Sequence, residues 1–103
     1  MFLEKYIDST YVEMIYDNYE NSYINSLDER NFLLVYNLLK EKGFYFIDDI
    51  ALNYLELFEL KRDNVEKALN TLKEIIGENY IKEIGHNMIL VDKIIELASK
   101  IDN

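Results

Sequence analysis

The clearest helical pattern in the chain is the stretch Asp63-Asn64-Val65-Glu66-Lys67-Ala68-Leu69-Asn70-Thr71-Leu72-Lys73-Glu74-Ile75-Ile76-Gly77. Its apolar residues recur at intervals of three and four, which places them on one face of a helix. Asp63 and Glu66 have the spacing of a capping box, whose side chains satisfy free amides of the first turn. Gly77 is typical of the left-handed residue that ends a helix. The stretch therefore predicts one amphipathic helix with a defined start and end.

The same pattern occurs on both sides of this stretch. Upstream, a second candidate capping box begins at Ser26, and the helix that follows ends before Gly43. Downstream, Asn87 precedes a third apolar face. Shorter helical segments are predicted at 46–53, at 79–85 and, as one helix or two broken near Asp8–Thr10, at 1–25. We therefore predict an all-α fold, a small helical repeat or helix bundle of about five or six helices.

Three stretches of the chain align with one another at offsets of 35 and 34 residues, namely Tyr11–Tyr19, Phe46–Tyr54 and Tyr80–Met88. Each reads aromatic, β-branched, two polar or mixed residues, Ile, two more residues, Asn, and then Tyr or Met. A period of this length is typical of stacked helical units, because one helix pair cannot bury its apolar face alone. We therefore predict a repeat of roughly 34 residues, with the recurring Asn as a helix cap.

The stretch Leu60–Gly77, followed by Ile81, Ile84 and Asn87, resembles a repeat of the mitochondrial transcription termination factor type. That repeat is helical and about thirty residues long, with a Leu-x-x-Leu-Gly-like turn and a later Asn-Pro. The resemblance extends over residues 34–91. It implies a curved helical solenoid that binds duplex nucleic acid through a basic concave face. In this chain Tyr or Met follows the recurring Asn where the family has proline, and a basic face is missing.

The composition is that of a folded, acidic protein. The 103 residues are 50% hydrophobic and carry a formal net charge of −9, which favours a packed core over disorder. We expect a single domain over 1–103, with an acidic, Tyr-rich helical segment at 1–25 and repeat-like helices at 26–103. The chain has no cysteine, and its start does not read as a signal peptide, so we expect a cytoplasmic protein. The apolar runs are too short to span a bilayer.

Patterns for catalysis and metal binding are weak. Glu83 and His86 have the spacing that puts both on one helix face, but di-iron sites need two such pairs, and the chain has one histidine. Asp48 and Asp49 are adjacent, point to different sides of a helix, and are better explained as capping residues. The chain contains no Ser-His arrangement, EF-hand pattern or phosphate loop. We therefore predict no catalytic residue, no metal site and no cofactor, and do not expect an enzyme.

Direct binding to nucleic acid is not expected from the charge. Such binding depends on Lys and Arg side chains that neutralise phosphates, and the chain has 11 basic residues against 20 acidic ones. The densest basic patch is Lys61-Arg62, which we interpret as a solvated turn.

The N-terminal segment is the best candidate for a functional surface. Residues 1–29 hold seven acids and one base, and five of the nine tyrosines fall in the first 23 residues. Tyrosine suits an interface because it buries a large ring at little entropic cost, and a row of carboxylates steers a basic partner. We predict a partner-binding surface of carboxylates and tyrosines: Glu13, Asp17, Glu20, Tyr11, Tyr16 and Tyr19. The alternative is an ordinary amphipathic helix with a solvated acidic side.

These features favour a non-enzymatic protein–protein interaction module whose partner has a basic surface. A sharper form is an inhibitor of nucleic-acid-handling machinery that mimics phosphate charge, as small acidic phage and anti-CRISPR proteins do. Two alternatives stay open. One is the nucleic-acid-binding helical repeat that the family resemblance implies. The other is a self-associating structural domain, a homo-oligomer with an exposed apolar end, since end repeats usually need capping.

Overall fold

The computed structural model describes residues 2–101, and in that range the secondary structure is entirely helical. The seven α-helices are α1 (Ser9–Asn18), α2 (Asn21–Ser26), α3 (Glu29–Lys42), α4 (Ile47–Asn53), α5 (Arg62–Ile76), α6 (Tyr80–His86) and α7 (Leu90–Ser99). Two 3₁₀ helices lie at Phe2–Lys5 and Leu55–Glu59. The predicted all-α class is confirmed. The α-helices number seven where five or six were expected, because the chain turns at Tyr19 and residues 21–26 form a helix of their own.

Two glycines end the long helices α3 and α5, as their positions predict. Gly43 follows α3 with φ 98° and ψ 14°, and its amide donates to the carbonyls of Leu39 and Lys40. Gly77 follows α5 with φ 109°, and its amide donates to the Lys73 carbonyl. A Cβ is disfavoured at such positive φ values, so glycine ends these helices with the least strain.

Both predicted capping boxes are wrong in register. Ser26 is the last residue of α2, and α3 is capped by Asp28, whose carboxylate accepts a hydrogen bond from the Arg30 amide at 3.0 Å. α5 begins at Arg62, and Asp63 pairs with the Arg62 guanidinium at 3.2 Å instead of capping the helix. A cap must lie just outside the first turn, and packing with the rest of the chain decides where that turn begins.

The recurring asparagines lie at the ends of the three short helices α1, α4 and α6. Asn18 and Asn53 are the last residues of α1 and α4, and Asn87 follows directly after α6. Asn53 Nδ2 donates to the Asp49 carbonyl one turn back, at 2.9 Å. They are thus helix-end residues, but each closes the helix before it. The prediction that Asn87 begins the last helix is wrong, since that helix starts at Leu90.

The pairs of one long and one short helix recur with a constant offset. α3 and α5 begin 33 residues apart, and so do α4 and α6. The long helices α3, α5 and α7 pack side by side in chain order, and the short helix α1 packs against α4. α1 is three residues longer than α4 and α6, so the N-terminal copy follows the repeat only loosely.

One contiguous core joins the N-terminal segment to the helices that follow it. The rings of Phe32 on α3 and Phe58 in the second 3₁₀ helix stack there with centroids 4.5 Å apart. Leu3, Ile15 and Ile24 are fully buried in the same cluster. Because burial of apolar surface is the main driving force for folding, the shared core holds the acidic segment firmly against the repeat-like helices.

Candidate protein-interaction site

The three carboxylates predicted for partner binding are all exposed, but they do not share one helix. Glu13 and Asp17 lie one turn apart on α1. Glu20 lies beyond that helix, at the N-cap of α2, because Tyr19 is extended with φ −122° and ψ 149°. The prediction of a single helical stripe is therefore wrong at Glu20, although all three charges face solvent.

The predicted interface tyrosines are half-buried, and two of them bind within the molecule. The Tyr11 hydroxyl donates to Asp49 Oδ1 at 3.0 Å, and the Tyr19 hydroxyl donates to the Leu52 carbonyl at 3.0 Å. Tyr16 packs against the core, and burial raises the pKa of its hydroxyl. The structure thus gives Tyr11 and Tyr19 an internal role, which is to hold α1 and its end against α4.

The hydroxyl–carboxylate contact of Tyr11 recurs elsewhere in the N-terminal segment. Tyr6 donates to Glu29 Oε2 at 2.9 Å, and Tyr23 donates to Glu59 Oε2 at 2.5 Å. Hydrogen bonds to an ionised acceptor are shorter and stronger than bonds between neutral groups. The three pairs are separated by 23 to 38 residues of chain. The sequence analysis missed the acceptors because residue order contains no signal for such distant pairing.

These contacts change the ionisation of the groups that make them. The hydrogen bond to Asp49 raises the pKa of Tyr11, because the carboxylate stabilises the protonated hydroxyl. Burial raises the pKa of Tyr23 well above its ordinary value of 10.0, and the carboxylate acceptor raises it further. Conversely, the hydrogen bond from Tyr6 lowers the pKa of Glu29. The folded protein therefore favours neutral tyrosines beside charged carboxylates.

A pocket of about 260 Å³, which we call the aromatic–acidic pocket, lies where α1, the end of α3 and the start of α4 meet. Its lining comprises Tyr11, Tyr36, Lys40, Phe44, Tyr45, Phe46, Ile47, Asp48 and Asp49. Tyr45 is 72% exposed and stands edge-on to the buried ring of Phe46, with centroids 4.9 Å apart. Tyr11 is a predicted partner-binding residue that lines this pocket, whereas Asp48 and Asp49 had been interpreted as capping residues.

The third glycine explains how two of these rings reach their position. A Cβ on Gly85 in α6 would lie 3.0 Å from both Phe46 Cε1 and the Tyr45 hydroxyl oxygen. The two rings therefore pack directly over the backbone of α6, and this close approach requires the smallest residue.

The charges around the aromatic–acidic pocket leave it attractive to a cation. Burial raises the pKa of Asp48, and the negative charges of Asp8 and Asp49 raise it further, although the Asp8 amide donates to Asp48 Oδ2 at 3.4 Å and acts in the opposite direction. On the α3 side of the pocket, Lys40 Nζ lies 5.8 Å from the centroid of the Tyr36 ring, within cation–π range. The pocket thus combines aromatic ring faces with a carboxylate that has negative neighbours.

Basic residues gather in a second depression, of about 610 Å³, at the start of α5. Lys61, Arg62 and Lys67 line it. The Arg62 guanidinium is paired with Asp63 at 3.2 Å and with Glu66 at 3.1 Å. The Lys61-Arg62 patch is thus extended by Lys67, but part of its charge is neutralised within the molecule.

An apolar groove of about 450 Å³ lies between α5 and α7. Two of its lining residues, Ile75 and Ile89, are 71% and 69% exposed. Large apolar side chains at this exposure mark a surface that is open to contact.

The remaining candidates for chemistry stay apart. Glu83 and His86 are both exposed on α6, and residues 2–101 contain no group of three or more His, Asp or Glu side chains placed to hold a metal ion. Over the same described range, no helix has the length and apolar character needed to cross a membrane.

Comparison with known proteins adds no relative. No family model matches the chain, and no curated protein or solved structure matches it. The resemblance to the mitochondrial transcription termination factor repeat therefore stays a prediction.

Proposed function

We propose that this chain is a non-enzymatic interaction module that binds a protein partner with a basic surface. The observation that best supports this function is the aromatic–acidic pocket, in which Tyr11, Tyr36 and Tyr45 stand beside Asp48 and Asp49. Its lining suits one arginine or lysine side chain of the partner. The aliphatic stem of that side chain would lie against the rings, and its charged group would reach the carboxylates.

A cation of the chain itself already uses part of this pocket. Lys40 is exposed, and its ammonium group lies over the Tyr36 ring. An exposed contact of this kind contributes little stability, so an incoming cation can displace it. Arginine is the better occupant, because a guanidinium group stacks on aromatic rings and binds a carboxylate through two parallel hydrogen bonds.

The exposed carboxylates Glu13, Asp17 and Glu20 support the same function at longer range. Together with the other charges of residues 1–29, seven acids and one base, they make this end of the chain strongly negative. Such a field speeds the encounter with a basic partner. A narrower form of the proposal is that this surface mimics the phosphate charge of nucleic acid and inhibits a nucleic-acid-handling protein, as small acidic phage and anti-CRISPR proteins do.

Titration with short peptides, followed by NMR, tests the pocket. The probe is an acetyl-Gly-Arg-Gly amide, and its neutral match contains citrulline in place of arginine. We expect the arginine peptide alone to shift the amide signals of residues 45–49. Asp48→Asn and Tyr45→Ala are expected to weaken its binding about tenfold, and Lys40→Met is expected to strengthen it.

Glu78→Gln is the matched control, because it removes a carboxylate that is 88% exposed and belongs to an ion pair with Lys73 outside the pocket. Equal binding of the two peptides, or binding that Asp48→Asn and Glu78→Gln weaken to the same extent, would overturn the proposal.

The nucleic-acid-binding repeat implied by the family resemblance is a second candidate, and one observation favours it. Lys61 and Lys67 line the same depression at the start of α5, where they would face two phosphates. Retardation of a DNA or RNA duplex at low salt that is lost in the Lys61→Glu/Lys67→Glu double variant would favour this candidate. Free mobility of the duplex at low salt would exclude it.

A further inference from the structure

The apolar groove between α5 and α7 is a surface that the proposed function does not use. Ile75 near the end of α5 and Ile89 directly before α7 both line it and are 71% and 69% exposed. Leu72, Ile76 and Leu90 extend the apolar lining between them. Each exposed isoleucine leaves most of its apolar surface in water, so covering the pair is favourable.

The charge around this groove differs from that of the N-terminal segment. Residues 72–100 hold five acids and four bases, whereas residues 1–29 hold seven acids and one base. Two copies of a chain with a net charge of −9 repel each other wherever their acidic surfaces meet. The nearly neutral region around the groove is therefore the place where two copies approach with little repulsion. A basic partner gains no comparable attraction there.

The rim of the groove carries charges of both signs. Asp92, Lys93 and Glu96 line it, and Lys93 Nζ lies 3.7 Å from Glu96 Oε2 with about half of each side chain exposed. In a contact related by a two-fold axis, a patch meets its own copy. A rim with both signs then pairs the lysine of one copy with the carboxylates of the other.

The apolar part of the surface has the same self-complementary character. Ile75 and Ile89 project into solvent from the walls of the groove that would receive an apolar side chain. We propose that the groove between α5 and α7 is the contact surface of a symmetric homodimer. Ile75 and Ile89 of each copy enter the groove of the other, and Lys93 and Glu96 form the polar rim.

Sedimentation velocity over a range of concentrations tests this dimer. The average mass should rise from that of one chain toward twice that value as the concentration approaches about 1 mM. Ile75→Asp and Ile89→Asp should each weaken the association at least about tenfold without lowering the melting temperature, because both side chains are exposed. Leu34→Asp, at an apolar residue of α3 that is 44% exposed, is the matched control.

Crosslinking gives a second readout, since the chain has no cysteine. A short bis-maleimide should link two copies of the Ile75→Cys variant and should not link two copies of Leu34→Cys. A single-chain mass at every concentration contradicts the dimer. Association that is weakened equally by Ile75→Asp and Leu34→Asp, or equal crosslinking of both cysteine variants, shows that two copies meet elsewhere.

Discussion

The Tyr11 hydroxyl donates a 3.0 Å hydrogen bond to the Asp49 carboxylate, and this contact joins α1 to α4 across 38 residues of chain. Two further pairs repeat the relationship, Tyr6 with Glu29 and Tyr23 with Glu59. The three contacts tie the acidic N-terminal segment to the rest of the molecule. Because Tyr11 and Asp49 also line the aromatic–acidic pocket, the same contact that stabilises the fold helps to shape the proposed binding site.

Loss of one such contact should lower stability by a measurable amount. We expect Tyr23→Phe, which removes the hydroxyl and keeps the ring, to lower the free energy of unfolding by about 1 kcal/mol. Urea unfolding followed by circular dichroism measures the change. Tyr45→Phe is the control, since Tyr45 is 72% exposed and its substitution should have little effect on stability. Equal stability of Tyr23→Phe and the unaltered protein would show that the contact to Glu59 contributes nothing.

Stability should fall above pH 10. The pKa values of Tyr6, Tyr11 and Tyr23 are all raised above the ordinary value of 10.0. The folded chain therefore holds these protons more tightly than the unfolded chain. This contribution to stability is fully present below pH 10 and is lost as the pH rises through the folded pKa. Urea unfolding at pH values between about 8 and about 11.5 measures the decline.

The Tyr23→Phe variant serves as the control for that decline, because it removes one of the titrating groups. Its free energy of unfolding should fall less steeply above pH 10 than that of the unaltered protein. A free energy that does not change between pH 10 and about 11.5 is incompatible with the three tyrosine contacts.

The stacked pair Phe32 and Phe58 should be the most sensitive point of the core. Phe32 is 1% exposed, so Phe32→Ala leaves a cavity and should lower the free energy of unfolding by about 3–5 kcal/mol. Leu34→Ala on the same helix should cost less than about 1 kcal/mol, because Leu34 is 44% exposed. Thermal or urea unfolding of both variants checks the difference. Similar losses would mean that the ring stack does not lie at the centre of the core.

The end of α5 should tolerate no side chain at Gly77 without strain. Its φ of 109° and ψ of −171° lie in a region that is essentially restricted to glycine, so Gly77→Ala should cost about 1–3 kcal/mol. Gly43→Ala should cost less, since φ 98° and ψ 14° lie nearer to the left-handed region that other residues visit. Asn70→Ala, at an exposed position within α5, is the control and should be neutral or slightly stabilising. A Gly77→Ala variant as stable as Asn70→Ala would refute this order.

Charge reversal should separate binding from folding in the acidic segment. Glu13, Asp17 and Glu20 are exposed, so their joint replacement by lysine should leave the melting temperature nearly unchanged while abolishing binding to an arginine-rich peptide. The matched control reverses three exposed acids elsewhere, Glu41, Glu74 and Glu78, and changes the net charge by the same amount. Binding lost equally in both variants would mean that net charge alone steers the peptide.

The fold was predictable where local pattern decides it. The apolar periodicity around Leu69 and the glycines at 43 and 77 correctly indicated α5 and the ends of both long helices, because periodicity and positive φ are properties of adjacent residues. The helix starts were not predictable in the same way. Ser26 and Asp28 both offer capping oxygens within three residues, and the packing of α2 leaves Asp28 as the cap.

The candidate site shows the same division. Exposure of Glu13 and Asp17 followed from their place in an amphipathic pattern, but Glu20 was misplaced because nothing adjacent to Tyr19 announces the turn there. The aromatic–acidic pocket was not predictable, since its walls come from α1, α3 and α4. Asp48 and Asp49 look like ordinary capping residues until the rings of other helices surround them.

By itself, the sequence determined the all-α class, the repeat of long and short helices and the concentration of negative charge near the N-terminus. These properties depend on residue type and on spacings of a few positions, which act before any distant contact forms. Only the tertiary structure decided which tyrosine meets which carboxylate, where the aromatic–acidic pocket opens and which isoleucines stay uncovered. Those features join residues 23 to 40 positions apart, and their pairing depends on how the helices pack as a whole.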